Sequence, residues 1–247
     1  MVSEKEISSE AVLRRVPIFE MRDIYTEEGR RIAQRRAIFT DRGEFIEVVS
    51  NQYVLIQPRE VLERFVKAGF QITDLYKHGG KIIADLVFKD GDEERFLTVY
   101  NSTDRTVKFK VLFLVEVGDT TIPVKTMYIR HYGRDTDKIV SDFVHDVIEI
   151  ATTKGIDTKK ILLSLNDSKN VNVFRNMLLK KYFKDSKKFA ENIEELKKMD
   201  NIIDMYKHML KFFYDNKRVD WRREKAIFEF REWFLKMLKT LNVISEI

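Results

Sequence analysis

The last 92 residues of this 247-residue chain contain neither glycine nor proline; all nine glycines and all three prolines lie at or before Gly155. These are the two strongest helix breakers, so a stretch that excludes both over this length is expected to be nearly all helix. Charge divides at the same place. Residues 1–155 carry 24 Lys+Arg against 26 Asp+Glu, net −2, whereas residues 156–247 carry 21 against 14, net +7, so the whole surplus of +5 is C-terminal. Two regions follow: a mixed α/β domain, placed at 1–135 with its end between 135 and 155, and a basic helical region, 136–247.

Hydrophobic spacing orders the elements of the first region. The segment from Glu20 to Ile38 is rich in arginine, and Arg30, Arg31, Arg35 and Arg36 would fall at i, i+4 and i+5 if it were helical. Phe45 to Val49 reads as a strand, and Tyr53 to Ile56 as short and extended. Pro58 suits the first turn of a helix, where its missing N–H costs nothing; Val61, Leu62, Phe65 and Val66 give that helix a buried stripe, and Gly69 stops it. Strands are expected at Gln71–Tyr76, Lys81–Phe88 and Arg95–Tyr100, joined through His78-Gly79-Gly80 and Asp90-Gly91. Alternation along Val107, Phe109, Val111, Phe113 and Val115 marks another strand, and Gly118-Asp119 turns the chain into Ile122–His131. The expected class is therefore α+β: an antiparallel meander of five or six strands with covering helices, followed by an all-helical C-terminal region. Helices are expected there at Asp137–Thr152, Thr158–Leu165, Asn170–Phe183, Lys187–Met199, Asn201–Tyr214 and Trp221–Leu241.

Composition bounds the function classes. With 44% hydrophobic residues and 12% aromatics the chain can fill a real core. The absence of cysteine removes disulfides, thiolate metal sites and cysteine nucleophiles together. Apolar runs such as Val111–Val115 are short, and the start MVSEKEISSE lacks the apolar segment of a secretion signal, so the expectation is a cytoplasmic protein without a membrane partner. A charged content of 34% with three prolines is a composition common in thermophiles.

Few motifs carry chemistry. His78-Gly79-Gly80-Lys81 could offer N–H groups and an ammonium to a phosphate, but it lacks Walker spacing and opens no helix, so it reads as a hairpin turn. Asp90, Asp92, Glu93 and Glu94 form an acidic knot too compact for an EF-hand loop. Asp142, His145 and Glu149 stand at i, i+3 and i+7 on one helix and form the candidate metal site. No cofactor motif is present, and none of HExxH, GxSxG or a nuclease pattern.

Basic residues offer the better lead, because phosphate contacts need clustered Lys and Arg, ideally beside aromatics that stack on bases. One group is Arg30, Arg31, Arg35 and Arg36, with Arg42. Another is Lys180, Lys181, Lys184, Lys187, Lys188, Lys217, Arg218, Arg222 and Arg223, near Tyr182, Phe183, Tyr214 and Trp221. Arg105, Lys108 and Lys110 could extend such a surface onto the sheet. Acids such as Glu194, Glu195 and Asp215 intersperse these bases, so a solvated, ion-paired surface is the competing reading.

At VVSNQYVLIQPREVLERF and at FLTVYNSTDRTVKFKVLFLVEVG the chain resembles the DUF932 family of phage- and plasmid-borne proteins, over about residues 40–150. Ser50, Tyr53, Gln57 and Glu60 match its strand-then-helix element, and Asn101, Ser102 and Asp104 match its polar turn, with Arg105 where glycine is usual. The resemblance implies a mobile-element setting. The expectation is a non-enzymatic, nucleic-acid-associated protein that handles single-stranded DNA. The alternatives are a metal-dependent enzyme acting on nucleic acid through Asp142, His145 and Glu149, and a scaffold or homo-oligomer built on a helical stripe.

Overall fold

The computed structural model describes residues 8–91, 93–103, 108–131, 136–153, 161, 163, 165–183, 189–216 and 220–244. The fold is α+β, with antiparallel meander sheets, covering helices and a helical C-terminal region. Two compact units divide the chain: Met1–Leu114 with Thr126–Lys154, and Val115–Lys125 with Gly155–Ile247.

In the first unit, helix α1 (Ser9–Leu13) precedes a three-stranded sheet, β1 (Phe19–Tyr25), β2 (Arg31–Thr40) and β3 (Phe45–Ser50), in the order β1-β2-β3. The arginine-rich segment is thus a hairpin and not a helix. Alternation decides it: Phe19, Met21 and Ile38 reach one core with Val49 and Tyr53, while Gly29, at φ 78, closes the turn. This hairpin is also why the strands form two sheets where the sequence suggested one. Helix α2 (Pro58–Lys67) starts on Pro58 without a side-chain cap from Gln57. The Gln57 amide instead pairs with the backbone of Phe19, accepting from its N–H at 3.1 Å and donating to its carbonyl at 2.5 Å, as a neighbouring strand would.

The second sheet holds β4 (Gln71–His78), β5 (Lys81–Asp90), β6 (Glu93–Ser102), β7 (Phe109–Val117) and β8 (Thr120–Ile129) in chain order. His78 pairs with Lys81 and Asp90 with Glu93, so both sequence candidates at these places are hairpin turns. The carboxylates of the acidic knot are taken up by cations: Glu94 by Lys89 at 2.8 Å, Glu93 and Asp90 by Arg95 at 3.3 and 3.7 Å; Asp92 lies outside the described residues. One sheet face receives helix α3 (Thr136–Thr153): Phe143 meets Phe109 edge-on at 5.5 Å, and Arg95 donates to the Ala151 carbonyl at 2.8 Å. The buried stripe of α3 is Val144, Val147 and Ala151, while Ile139 is 44% exposed.

The polar turn at the end of β6 is buried where it is described. Asn101, Ser102 and Thr103 are each at most 1% exposed. Asn101 donates to the Ile56 carbonyl at 3.0 Å, and Thr103 sends its N–H and its hydroxyl to the Gly80 carbonyl at 2.7 and 2.9 Å. Tyr53 Oη donates to the Thr103 carbonyl at 3.0 Å and stacks on His131 with ring centroids 5.2 Å apart. Since that hydroxyl spends its hydrogen on Thr103, the imidazole hydrogen belongs on Nδ1, which lies 3.0 Å from the Val54 carbonyl. Asp104 and Arg105 lie outside the described residues.

The second unit contains helices α4 (Ser168–Tyr182), α5 (Ala190–Lys198), α6 (Ile202–Asn216) and α7 (Asp220–Thr240), close to the expected spans; the expected helix at Thr158–Leu165 lies largely outside the described residues. Its core is aromatic. Tyr206 lies 4.4 Å from Phe234 and 5.3 Å from Phe230, and Phe174 packs edge-on against Phe234 at 5.4 Å. On α7, Ile227, Phe230, Phe234 and Leu238 recur at helical spacing and are all interior. Arg175 closes the end of α5, donating to the carbonyls of Leu196 and Met199 at 3.2 and 2.5 Å. No helix among the described residues is long and apolar enough to cross a membrane.

Gly80 fixes how closely the polar turn can seat. A Cβ there would overlap the Thr103 hydroxyl and come within 2.7 Å of Ile46 Cγ2. Gly80→Ala should therefore destabilise the first unit by about 1–3 kcal/mol, read as a lower urea midpoint, because overpacking a buried site displaces its neighbours; an unchanged midpoint would show that the turn yields freely.

Candidate nucleic-acid interface

The three-stranded sheet has two chemically different faces. Residues directly opposed across strands share a face, and the register sets Glu20 opposite Phe39 and Phe39 opposite Phe45, then Arg22 opposite Ala37 and Ala37 opposite Val48, then Arg35 opposite Ser50. The other face holds Phe19, Ile38 and Val49 in the core. The first face is open: Phe45 is 58% exposed, Arg22 and Glu20 are about half exposed, and Arg35 is exposed. A bulge between Ile38 and Phe39 turns Phe45 to this side and sends Ile46 to the core.

On that face the side chains are organised. Phe39 and Phe45 meet edge-on with centroids 5.8 Å apart. The Arg22 guanidinium lies 4.9 Å from the centre of the Phe39 ring and donates to Glu20 Oε2 through Nη2 at 2.9 Å and Nε at 3.3 Å. The carboxylate and the aromatic ring together keep the guanidinium on this face. Ala37, at the centre of this face, is only 6% exposed, so what reaches solvent is the Phe45 ring and the arginines around it. The face therefore offers one exposed aromatic ring, Phe45, with the Arg22 and Arg35 cations on the same side.

The structure divides the arginine cluster of the sequence. Asp23 holds Arg31 at 3.1 Å and Arg36 at 3.8 Å, and Arg36 also donates to the Met21 carbonyl. Arg30, Arg35 and Arg42 have no acid partner among the described residues. Arg35 stands on the open face, Arg30 at the β1–β2 turn and Arg42 at the β2–β3 turn. On the larger sheet, Lys108 Nζ lies 3.7 Å from the centre of the exposed Tyr128 ring, and Lys110 is opposite Tyr100.

The C-terminal cations are less available. Lys184, Lys187, Lys188, Lys217 and Arg218 lie outside the described residues. Arg223 is bound by Glu224 at 2.9 Å and Asp220 at 3.1 Å and lies over Tyr214. Lys181 sits 5.4 Å from the Trp233 ring and 5.5 Å from that of Tyr182; desolvation and then Lys236 pull its pKa below the usual lysine value. Lys180 and Arg222 are exposed, without an acid partner among the described residues.

Asp142, His145 and Glu149 are exposed on α3 and do not converge; no group of three or more potential metal ligands occurs among the described residues. Seven residues of helix span about 10 Å, too far for the end members to share an ion. A different carboxylate pair escaped the sequence reading. Asp74 and Asp85 are direct partners across β4 and β5, and Thr98 donates to Asp85 at 2.5 Å. Burial first, then the charge of Asp85, raises the pKa of Asp74, against a hydrogen bond with Tyr76.

No protein family, curated protein or solved structure matches the chain at significance.

Because folding raises the Asp74 pKa above its ordinary 3.8, the ionised carboxyl opposes folding. The penalty is absent below that value and grows as pH rises through the folded-state pKa. Asp74→Asn should therefore raise the urea midpoint at neutral pH, and its advantage should shrink as pH falls toward 3.8. A lower midpoint than wild type at neutral pH would contradict the assignment.

Proposed function

We propose that the protein is a non-enzymatic, nucleic-acid-associated protein that holds single-stranded nucleic acid on the open face of its three-stranded sheet. The observation that carries this reading is the joint placement of Phe39, Phe45, Arg22 and Arg35 on one exposed face. Single strands are bound by aromatic rings that take a base and by cations that track the phosphates; every base has a π-face, so such a site tolerates sequence. A duplex keeps its base faces stacked inside, which leaves Phe45 nothing to stack on. The surplus of +7 after residue 155 adds a long-range attraction for a polyanion. The resemblance to phage- and plasmid-borne proteins suits a protein that handles DNA in a mobile element.

The test is fluorescence anisotropy with a labelled oligonucleotide of about 16 nucleotides, matched to the upper range of site sizes for sheet-based binders. Binding should weaken steeply between about 50 and 200 mM salt. Phe45→Ala should cost roughly ten-fold in affinity, corresponding to one stacked base, with little change in salt slope. Arg35→Ala should lower the slope by about one. Absence of binding at about 50 mM salt, or full affinity in Phe45→Ala, would remove the proposal.

A further inference from the structure

Resting on that reading of the open face, we propose that the Arg22 guanidinium is a second phosphate-binding group of the single-strand site, and that the Glu20 carboxylate occupies it in the free protein as an internal stand-in for the phosphodiester. Arg22 donates to one oxygen of Glu20 through two nitrogens, Nη2 at 2.9 Å and Nε at 3.3 Å. A guanidinium offers the same pair of donors to a phosphate oxygen, so the two anions compete for one set of hydrogen bonds. The Phe39 ring, 4.9 Å from the guanidinium, holds it on this face whichever anion it binds.

The contact is exchangeable. Arg22 is 52% exposed and Glu20 53%, and Glu20 has no other partner among the described residues, so releasing it into solvent leaves no buried group unpaired. Exposed ion pairs are weak, so a phosphate already held nearby can take the place of the carboxylate. Arg35 supplies that hold. It has no acid partner among the described residues and stands on the same face, two residues along β2 from Ala37, which is opposite Arg22. Strand spacing and rise put the backbones of Arg22 and Arg35 about 8 Å apart. A strand that meets Arg35 first therefore brings a neighbouring phosphate toward Arg22. The arginines that Asp23 engages differ: one carboxylate serves both Arg31 and Arg36, and Arg36 also bonds the Met21 carbonyl, which fixes them in the hairpin.

The experiment is a double-mutant cycle on the full chain: wild type, Arg22→Ala, Glu20→Gln and the double variant. Affinity is read by anisotropy with labelled oligo(dT) of about 16 nucleotides at about 50 mM salt. The comparison of backgrounds is the readout, because removing a negative charge raises affinity for any polyanion and the cycle cancels that general effect. The expected result is that Arg22→Ala costs about three-fold more affinity in the Glu20→Gln background than in wild type, the factor that one exposed ion pair represents. Equal costs in the two backgrounds show that the carboxylate does not hold Arg22 back and overturn the proposal. A larger cost in wild type overturns it too, since Glu20 then assists Arg22. In either case the single-strand site stands. If wild type and Glu20→Gln both fail to bind, the site itself is removed and the proposal with it.

Discussion

The first unit depends on how three backbone carbonyls are satisfied where the strands run out. Ile56, Gly80 and Thr103 lie beyond the ladders that would pair them, and a buried carbonyl without a donor costs about as much as a lost hydrogen bond. Side chains supply most of the donors: Asn101 donates to Ile56, Tyr53 to Thr103, and Thr103 gives both its hydroxyl and its backbone N–H to Gly80. Each donor comes from a different stretch of chain than its acceptor. The end of β6 is thereby tied to the β4–β5 turn and to the segment leaving β3. That segment in turn pairs with His131, where the Val54 N–H donates to the His131 carbonyl at 2.9 Å. The three-stranded sheet is anchored from behind, which leaves its other face available to solvent.

Charge placement on the β1–β2 hairpin follows from strand parity. Asp23 is directly opposite Arg36 and so sits on the face that carries Phe19 and Ile38, where it also binds Arg31. Glu20 and Arg22 fall on the opposite face. Acids and arginines close in sequence are thus sorted by alternation into two sets, and one-dimensional charge counting cannot see this. The cluster Arg30, Arg31, Arg35, Arg36 reads in sequence as one basic patch. In the structure it divides into arginines bound by Asp23 and arginines without an acid partner among the described residues, and only Arg35 joins the aromatic face.

Much of the fold was legible because it rests on local signals. The glycine- and proline-free tail marked the helices, Pro58 and Gly69 bounded α2, and Gly79-Gly80 and Gly91 marked the hairpins. The arginine-rich hairpin was harder. Arginine is a good helix former, and the apolar residues there are too few to set a period. The candidate site was less legible still. Phe39 and Phe45 are six positions apart, and the bulge that brings them onto one face has no signature in the sequence. Asp74 and Asp85 become neighbours only through the register of β4 with β5. The acceptor roles of Ile56 and Gly80 are backbone properties, which no pattern of side chains announces. For the same reason Asn101, Ser102 and Thr103, which read as a turn, are a buried fastening.

An exposed ring on an edge strand is a liability, since β3 offers unpaired backbone groups beside an apolar surface. The local design limits the hazard without burying Phe45. The bulge at Ile38 and Phe39 breaks the regular edge, and the exposed Glu44 sets a charge next to Phe45 in the chain. The guanidinium of Arg22 covers the Phe39 ring, so the apolar surface reaching solvent is chiefly that of Phe45. A protein needing only a solvated sheet would place a polar residue at this position at no cost to its core, which lies on the other side. Phenylalanine at 45 instead sets an exposed ring edge-on to Phe39, whose own face carries the Arg22 guanidinium, so the outer side of this hairpin joins an apolar ring to a fixed cation.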